Sequence, residues 1–256
     1  MPRVLVIVPF PMDEADLANR REQLGTLNPG DGMTFDYRPV RFAPANYTSH
    51  HDFSLADLSI LEAGIDAERE GYDAVCIDTM SDSGLSALRS VLNIPVIGPG
   101  RHAMLAALML GERFSILVMW DRWKPLYAKT LGELGLEKKC ASIRSIGVEP
   151  NNRSLLAGKK DDVFPKLEAA ATRCIEEDGA DAIILGSTTM HQAHAYLAER
   201  LPVPVINPGP LTYRLADAAL KLGLTHSRKT YPTPLAPKRD MIKAIGDAAV
   251  AAARTR

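Results

Sequence analysis

Short, mainly apolar runs punctuate the chain: Val4–Val8, Ala74–Ile77, Pro95–Ile97, Phe114–Met119, Ala182–Leu185 and Val203–Ile206. Runs of this length, bounded by glycine and polar residues, read as strands buried on both faces, the signature of parallel sheets. Phe35–Val40 alternates apolar and polar residues like a further strand, and Ala141–Val148 reads as another. Between the strands the pattern turns helical. Leu55–Glu70 carries an apolar stripe through Leu55, Leu58, Leu61, Ile65 and Ala67. Helices are predicted over Leu85–Leu92, Arg101–Gly111, Pro125–Leu134, Asp161–Asp178 (with Asp161 or Asp162 as its cap), Ala195–Leu201 and Leu211–Leu222. Asp13–Leu24 reads as a short helix or a lid, Ala43–Ser54 as a loop holding Tyr47, His50 and His51, and Glu149–Lys160 as a polar loop. Residues 225–238 are proline-broken and precede an alanine-rich final helix. Strand and helix alternate throughout, which predicts an α/β fold with mostly parallel sheets flanked by helices.

The pattern occurs twice. Gly71, Asp73 and Thr79 match Gly179, Asp181 and Ser187 at a spacing of 108; Pro95, Ile97 and Gly100 match Pro204, Ile206 and Gly209 at 109. In each copy a helix is read to end at the glycine in a left-handed cap, a buried strand follows, and the strand breaks into hydroxyl residues, Thr79-Met-Ser81 or Ser187-Thr-Thr189. Small polar residues between a buried strand and a helix place N–H groups and hydroxyls where a helix N-terminus favours an anion. Ligands of open α/β sheets bind outside the carboxyl ends of the strands, so the two loops are candidate walls of one site. Pro9-Phe-Pro11 and Trp120–Trp123 occupy matching places after the first strand of each half. Two pseudo-symmetric lobes are therefore expected: 1–110, with about 211–256 packing back onto it, and 111–210.

Composition narrows the function. Lys and Arg total 30 against 31 Asp and Glu, which favours neither nucleic acid nor a membrane surface as partner. The N-terminus runs directly into Val4–Val8 with no long apolar span or cationic leader, which reads as an untargeted cytoplasmic protein. Cys76, Cys140 and Cys174 are odd in number and lack CxxC spacing, so neither a disulfide framework nor a zinc knuckle is expected. His50 and His51 have no acidic or thiol partner at ligand spacing, and no metal is expected.

Asp73–Leu85, Arg113–Leu117, Cys140–Arg144, Asp181–Gly186, Pro202–Ile206 and Ser227–Lys229 with Tyr231-Pro232 together resemble the aspartate/glutamate/hydantoin racemase superfamily, nearest to its hydantoin and allantoin racemases. The resemblance spans nearly the whole chain. It implies two pseudo-symmetric α/β lobes with the active site in the cleft between them, a homo-oligomer, no cofactor, and a small anionic carboxylate or cyclic amide as substrate. Racemases of this kind use one cysteine per lobe, as thiolate base and thiol acid. The resemblance puts Thr79 and Ser187 at those positions, and a hydroxyl does not replace a thiol as an unassisted base.

The remaining chemistry centres on an enolate or carbanion next to a carbonyl. Hydroxyls of Thr79, Ser81, Ser187, Thr188 and Thr189 can be preorganised around a developing oxyanion. Asp78 or Asp82 in the first half and His191 in the second are candidate proton-transfer groups of an isomerase. Pro9, Trp120 and Tyr231 are candidate substrate contacts. Three other readings stay open: a decarboxylase like the related arylmalonate decarboxylases, which keep only the second-lobe cysteine; a hydrolase with Ser187 activated by His191 or His194; and a non-catalytic binder of small acids. Asp82 also reads as a cap for the following helix.

Overall fold

The computed structural model describes residues 1–26, 32–150 and 160–254. Residues 151–159 of the expected polar loop lie outside the described residues. The chain divides into two compact units, Met1–Gly98 with Thr212–Arg256, and Pro99–Leu211.

In the first unit, strands β1 (Arg3–Val8), β2 (Thr34–Pro39), β3 (Ala74–Ile77) and β4 (Val96–Ile97) form a wholly parallel sheet of order β2-β1-β3-β4. The uninterrupted apolar runs follow from burial on both sides. Leu5 and Ile7 of β1 face helices α2 (His50–Gly64) and α3 (Leu85–Val91), packing with Ile60, Ala63, Leu85 and Leu88. Val4, Val6 and Val8 face the other way, packing with Leu17 of helix α1 (Glu14–Arg21) and with Tyr213 and Ala216. Alternation along a strand thus serves two cores instead of one core and water.

The second unit repeats the plan. Strands β5 (Phe114–Val118), β6 (Cys140–Ser145), β7 (Ala182–Leu185) and β8 (Val205–Ile206) form a parallel sheet of order β6-β5-β7-β8. It carries helices α4 (Pro99–Leu110), α5 (Lys124–Leu134), α6 (Lys160–Glu176) and α7 (Ala193–Ala198). Helix α8 is Pro208–Lys221 and α9 is Arg239–Arg254.

The repeat is fastened the same way twice. Arg3 N–H donates to Asp73 Oδ2 (2.7 Å) and Arg113 N–H to Asp181 Oδ1 (3.0 Å); each arginine also donates through Nη1 to a turn carbonyl, Glu70 O or Asp178 O, both at 3.2 Å. Gly71 and Gly179 take φ of 81° and 73°, the left-handed region that disfavours a side chain. Every strand order places a switch point between the first and third strands in sequence, where the loops leaving them diverge and open a crevice. Those loops begin at Pro9 and Asp78 in one unit, and at Met119 and Gly186 in the other.

Several boundaries differ from the sequence reading. Helix α2 begins at His50, so His50 and His51 lie in its first turn and not in a loop: Ser49 Oγ accepts from Asp52 N–H, and Asp52 Oδ2 accepts from Thr48 N–H, a reciprocal cap. It ends at Gly64, and turns carry the chain to Gly71. Helices α4 and α8 start at Pro99 and Pro208 rather than Arg101 and Leu211, because a proline suits the first helical position, where its missing N–H costs nothing. Among the described residues no helix is long and apolar enough to cross a membrane.

Candidate functional site

The loop after β3 is polar and buried together. Asp78, Thr79, Ser81, Asp82 and Ser83 are each at most 9% exposed. Asp78 N–H still donates to Ile7 O (2.9 Å), so the residue belongs to the sheet end. Its carboxylate meets the Arg20 guanidinium of α1 at 3.1 Å, both side chains almost wholly out of water, and Gln23 Nε2 reaches its other oxygen at 3.5 Å. Behind this pair Tyr37 O–H donates to Tyr213 Oη (2.8 Å), and burial pushes both phenols far above their usual range. Past Asp78 runs a chain of hydroxyls: Thr79 Oγ1 lies 3.3 Å from Ser81 Oγ, which donates to Ser83 Oγ (2.9 Å) and accepts from Ser83 N–H. A turn closed by Asp82 N–H on Thr79 O puts Asp82 at φ 51°, the only non-glycine among the described residues with positive φ. A methyl group on Gly98 would come 2.4 Å from Asp82 Oδ1, so the carboxylate fills the space that glycine leaves at the end of β4.

Asp82 is not the cap of α3. That position is Gly84 at φ 72°, with no side-chain cap bond; Gly84 N–H instead donates to Asp57 Oδ1 of α2 (2.8 Å).

The loop after β7 has the same backbone plan. Gly186 N–H donates to Leu117 O (2.8 Å), the counterpart of the Asp78 bond to Ile7. Ser187 Oγ lies 2.7 Å from Thr189 Oγ1 and accepts from Thr189 N–H (3.3 Å), capping the short 3-10 turn Thr188–Met190. Thr79 and Ser81 are thus matched by Ser187 and Thr189 in contact as well as in spacing. The base of the loop differs. Where the first unit has Asp78, the second has Gly186, whose carbonyl accepts from the buried Tyr127 O–H. A Cβ there would come 2.7 Å from Leu117 O and 2.9 Å from Tyr127 Oη.

His191 Nδ1 is 3.3 Å from Thr188 O. A carbonyl only accepts, so Nδ1 carries the hydrogen and a neutral ring has its lone pair on Nε2. His194 is committed elsewhere: its Nε2 donates to Val205 O (3.0 Å), clamping α7 to β8. Among the described residues, the Ser187 hydroxyl is hydrogen-bonded to Thr189 and to no imidazole.

Pro9 follows β1, and its carbonyl accepts from the buried Tyr47 O–H (3.2 Å), against which Phe10 packs edge-on. Trp120 follows β5 with the Arg122 guanidinium 5.5 Å from its ring centre. Tyr231 lies with the last turn of α3, away from the Thr79 loop at that helix's other end: its oxygen accepts from Arg89 Nη1 (3.1 Å). Arg228 donates to the Arg89, Ser90 and Leu92 carbonyls, satisfying acceptors at the end of α3.

The described residues hold no cluster of three or more His, Cys, Asp or Glu able to bind a metal. All three cysteines lie off the loops: Cys76 in β3, Cys140 at the start of β6, Cys174 in α6. Burial pushes the Cys140 thiol up to about 11 and raises Cys76 and Cys174 as well, which removes thiolate reactivity at neutral pH.

The model for the Asp/Glu/hydantoin racemase family matches residues 22–216, most of the chain. The chain belongs to the Asp/Glu/hydantoin racemase family. Within the family it is 31% identical over 208 residues to a hydantoin racemase of Pseudomonas sp. (strain NS671), covering 80% of this chain and 81% of that protein. Among solved structures it resembles allantoin racemase from Klebsiella pneumoniae (TM-score 0.83, 26% identity, 93% of this chain and 95% of that one). Allantoin racemase AllR from Pseudomonas fluorescens gives a TM-score of 0.82 at 26% identity, covering 92% and 98%.

Three features of this racemase-family chain escape sequence reasoning. The Arg20–Asp78 pair joins residues 58 apart, and nothing marks Arg20 among the exposed charges of α1. Tyr47 looks like one more loop aromatic. Asn207, after β8, is 9% exposed with its carboxamide oxygen unbonded among the described residues. The last had a weak signal, since the repeat aligns it with Gly98, an unusual exchange within an otherwise matched Ile-x-Pro-Gly.

Proposed function

We propose that this chain is a cofactor-independent isomerase that racemises or epimerises a small substrate through an enolate next to a carboxylate or cyclic amide carbonyl, using a site without cysteine. The observation that carries the reading is the pair of matched hydroxyl contacts, Thr79 with Ser81 and Ser187 with Thr189, at the carboxyl ends of equivalent strands. The names of the similar proteins, hydantoin racemase and allantoin racemase, support the substrate class.

In this reading Thr79 and Ser187 bond the oxygen on which charge develops, and Ser81, Thr188 and Thr189 hold them in place. One preorganised donor of this kind contributes roughly 100- to 1000-fold in rate. Asp82 and His191 move the proton, His191 through Nε2 because Nδ1–H is committed to Thr188 O. Asp78 is a positioning residue: its carboxylate is engaged by Arg20 and Gln23, and it anchors the loop that bears Thr79. Pro9 and Trp120 border the substrate at the switch points. Identical chains associate in this reading, supported by exposed apolar side chains such as Met109 (85% exposed), and light scattering reads the assembly.

The test is proton NMR in deuterated water with 5-substituted hydantoins, allantoin, amino acids and substituted malonates. The expected result is exchange of the hydrogen on the stereogenic carbon with loss of optical rotation and no change in composition, along a bell-shaped pH profile. Asp82→Asn is a clean variant, because asparagine tolerates positive φ, and it should lower exchange by 100-fold or more on the order of a lost general base. Release of carbon dioxide or ring opening would move the protein to a lyase or hydrolase. Binding with no exchange would make it a binder.

A further inference from the structure

The loop that bears Thr79 is shut. Asp78, Thr79, Ser81 and Ser83 are between 1% and 9% exposed, so a ligand reaches those hydroxyls only after a covering element has moved. Within the first unit, α1 and the 3-10 turn that follows it (Glu22–Thr26) come down on the base of this loop. Their inward side chains are Leu17, Arg20 and Gln23, three residues apart and all buried. Leu17 packs in the apolar core with Val4, Val6 and Val8. The other two end on one carboxylate, Arg20 Nη1 at 3.1 Å and Gln23 Nε2 at 3.5 Å from the oxygens of Asp78.

Helix α2, on the opposite face of the same sheet, shows what plain cladding looks like. It buries Phe53, Ala56, Ile60 and Ala63. Helix α1 buries a guanidinium where α2 buries isoleucine. A buried ion pair adds little net stability once both charges have left water, and its best-attested use is to fix a register or to switch. Helix α1 also closes on itself: Asp13 Oδ1 accepts from Asp16 N–H (2.9 Å), Arg21 pairs with Glu14, and acidic residues in the first turn with basic ones in the last suit the helix dipole. Lifting it leaves its own cap intact.

We propose that α1 is a lid over the Thr79 loop, latched by the Arg20–Asp78 pair, and that a small-molecule ligand enters when the latch opens. The catch is fixed, because Asp78 N–H donates to Ile7 O at the end of the sheet, while its guanidinium partner rides on the element that moves. Prolines at 9 and 11 stiffen the lead-in, and Pro9 O is tied to Tyr47, so the bend falls between Pro11 and the cap at Asp13. Segments that open for ligands are drawn from the less stable end of a fold. The inference takes the Thr79 loop from the isomerase reading as the thing uncovered, and its test measures access, not turnover.

The test is hydrogen exchange by mass spectrometry on the full chain. Peptides spanning 13–24 should exchange at least about 100-fold faster than those of β1, at a rate that low urea leaves unchanged, the mark of local opening. Peptides spanning 78–83 should follow the rate of 13–24, since the loop meets water when the lid lifts. Arg20→Gln with Asp78→Asn removes both charges and strands neither. It should speed both peptides together by about 10-fold, the scale of one lost charge-assisted hydrogen bond, with β5 and β7 unaffected. If that double variant does not fold, Arg20→Lys, which keeps the charge and loses the planar fork, should move both peptides in the same direction. Protection of 13–24 equal to that of β1 would overturn the proposal, as would opening of 13–24 with 78–83 still protected like β1, or no change in either variant. The two readings fail separately. Substrate proton exchange with a rigid α1 sinks the lid alone, and a lid that opens over a loop with no turnover sinks only the isomerase.

Discussion

The loop after β3 and the loop after β7 share a backbone plan and a hydroxyl pair, yet their foundations are opposite in kind. Asp78 stands on a buried ion pair with Arg20; its counterpart Gly186 is packed against Leu117 O and takes a phenolic bond from Tyr127. Charge beside the loop is likewise one-sided, Asp82 in the first unit against Met190 and Asn207 in the second. What the repeat has preserved is a geometry for hydroxyls, and what has diverged is the electrostatics around it. A duplicated fold can therefore keep two similar donors while giving only one of them an anion for company.

The sharpest way to break this contrast is to make the units alike. Gly186→Asp places a Cβ within 2.9 Å of both Leu117 O and Tyr127 Oη and adds a charge with no guanidinium to meet it. It should cost about 4 kcal/mol or more in urea unfolding, at the severe end for single substitutions. A variant as stable as wild type would show that the bases of the loops are interchangeable. Next in size is Arg20→Met, which strands a buried carboxylate at a cost of about 3–5 kcal/mol. Adding Asp78→Asn should return part of that loss, so the double variant is more stable than the sum of the singles. Independent losses would mean that the pair does not act as a unit.

Gly98→Ala is milder. The methyl displaces Asp82, an overpacking of about 1–3 kcal/mol, and proton exchange should fall further than stability alone explains. The smallest effect concerns the segment that seals α3 of the first unit. His226 donates to Leu92 O, and burial, followed by the Arg228 and Arg89 charges, holds its pKa below the ordinary value. The unfolded chain then binds the proton more readily, so stability is lost as pH falls below about 6.5. His226→Gln should flatten that slope in urea titrations at pH 5 and 7.

The α/β architecture was legible because strands covered on both faces are written as unbroken apolar runs, and Val4–Val8 or Ala182–Leu185 admit little else. The helix starts at Pro99 and Pro208 are hidden in the sequence, since Pro-Gly marks a turn as readily as a first helical residue. Local preference puts His50 in a loop, since two adjacent histidines are poor helix formers, and the Ser49–Asp52 cap outweighs that preference. The hydroxyl loops announced themselves through the spacing of 108, a pattern that needs no coordinates. Arg20 meeting Asp78, Asp82 lying against Gly98 and the unbonded oxygen of Asn207 depend on contacts between distant residues, and no local periodicity encodes them.

The discontinuity of the first unit bears on how the chain comes into being. Tyr37 finds Tyr213, and Arg41 finds Asp247, across 176 and 206 residues, whereas the second unit is one unbroken stretch. Synthesis from the N-terminus releases Pro99–Leu211 with all of its partners before the first unit has received its closing helices. The part that starts first is thus completed last, and Val4, Val6 and Val8 have only early neighbours such as Leu17 and Tyr37 over them until Tyr213 and Ala216 emerge.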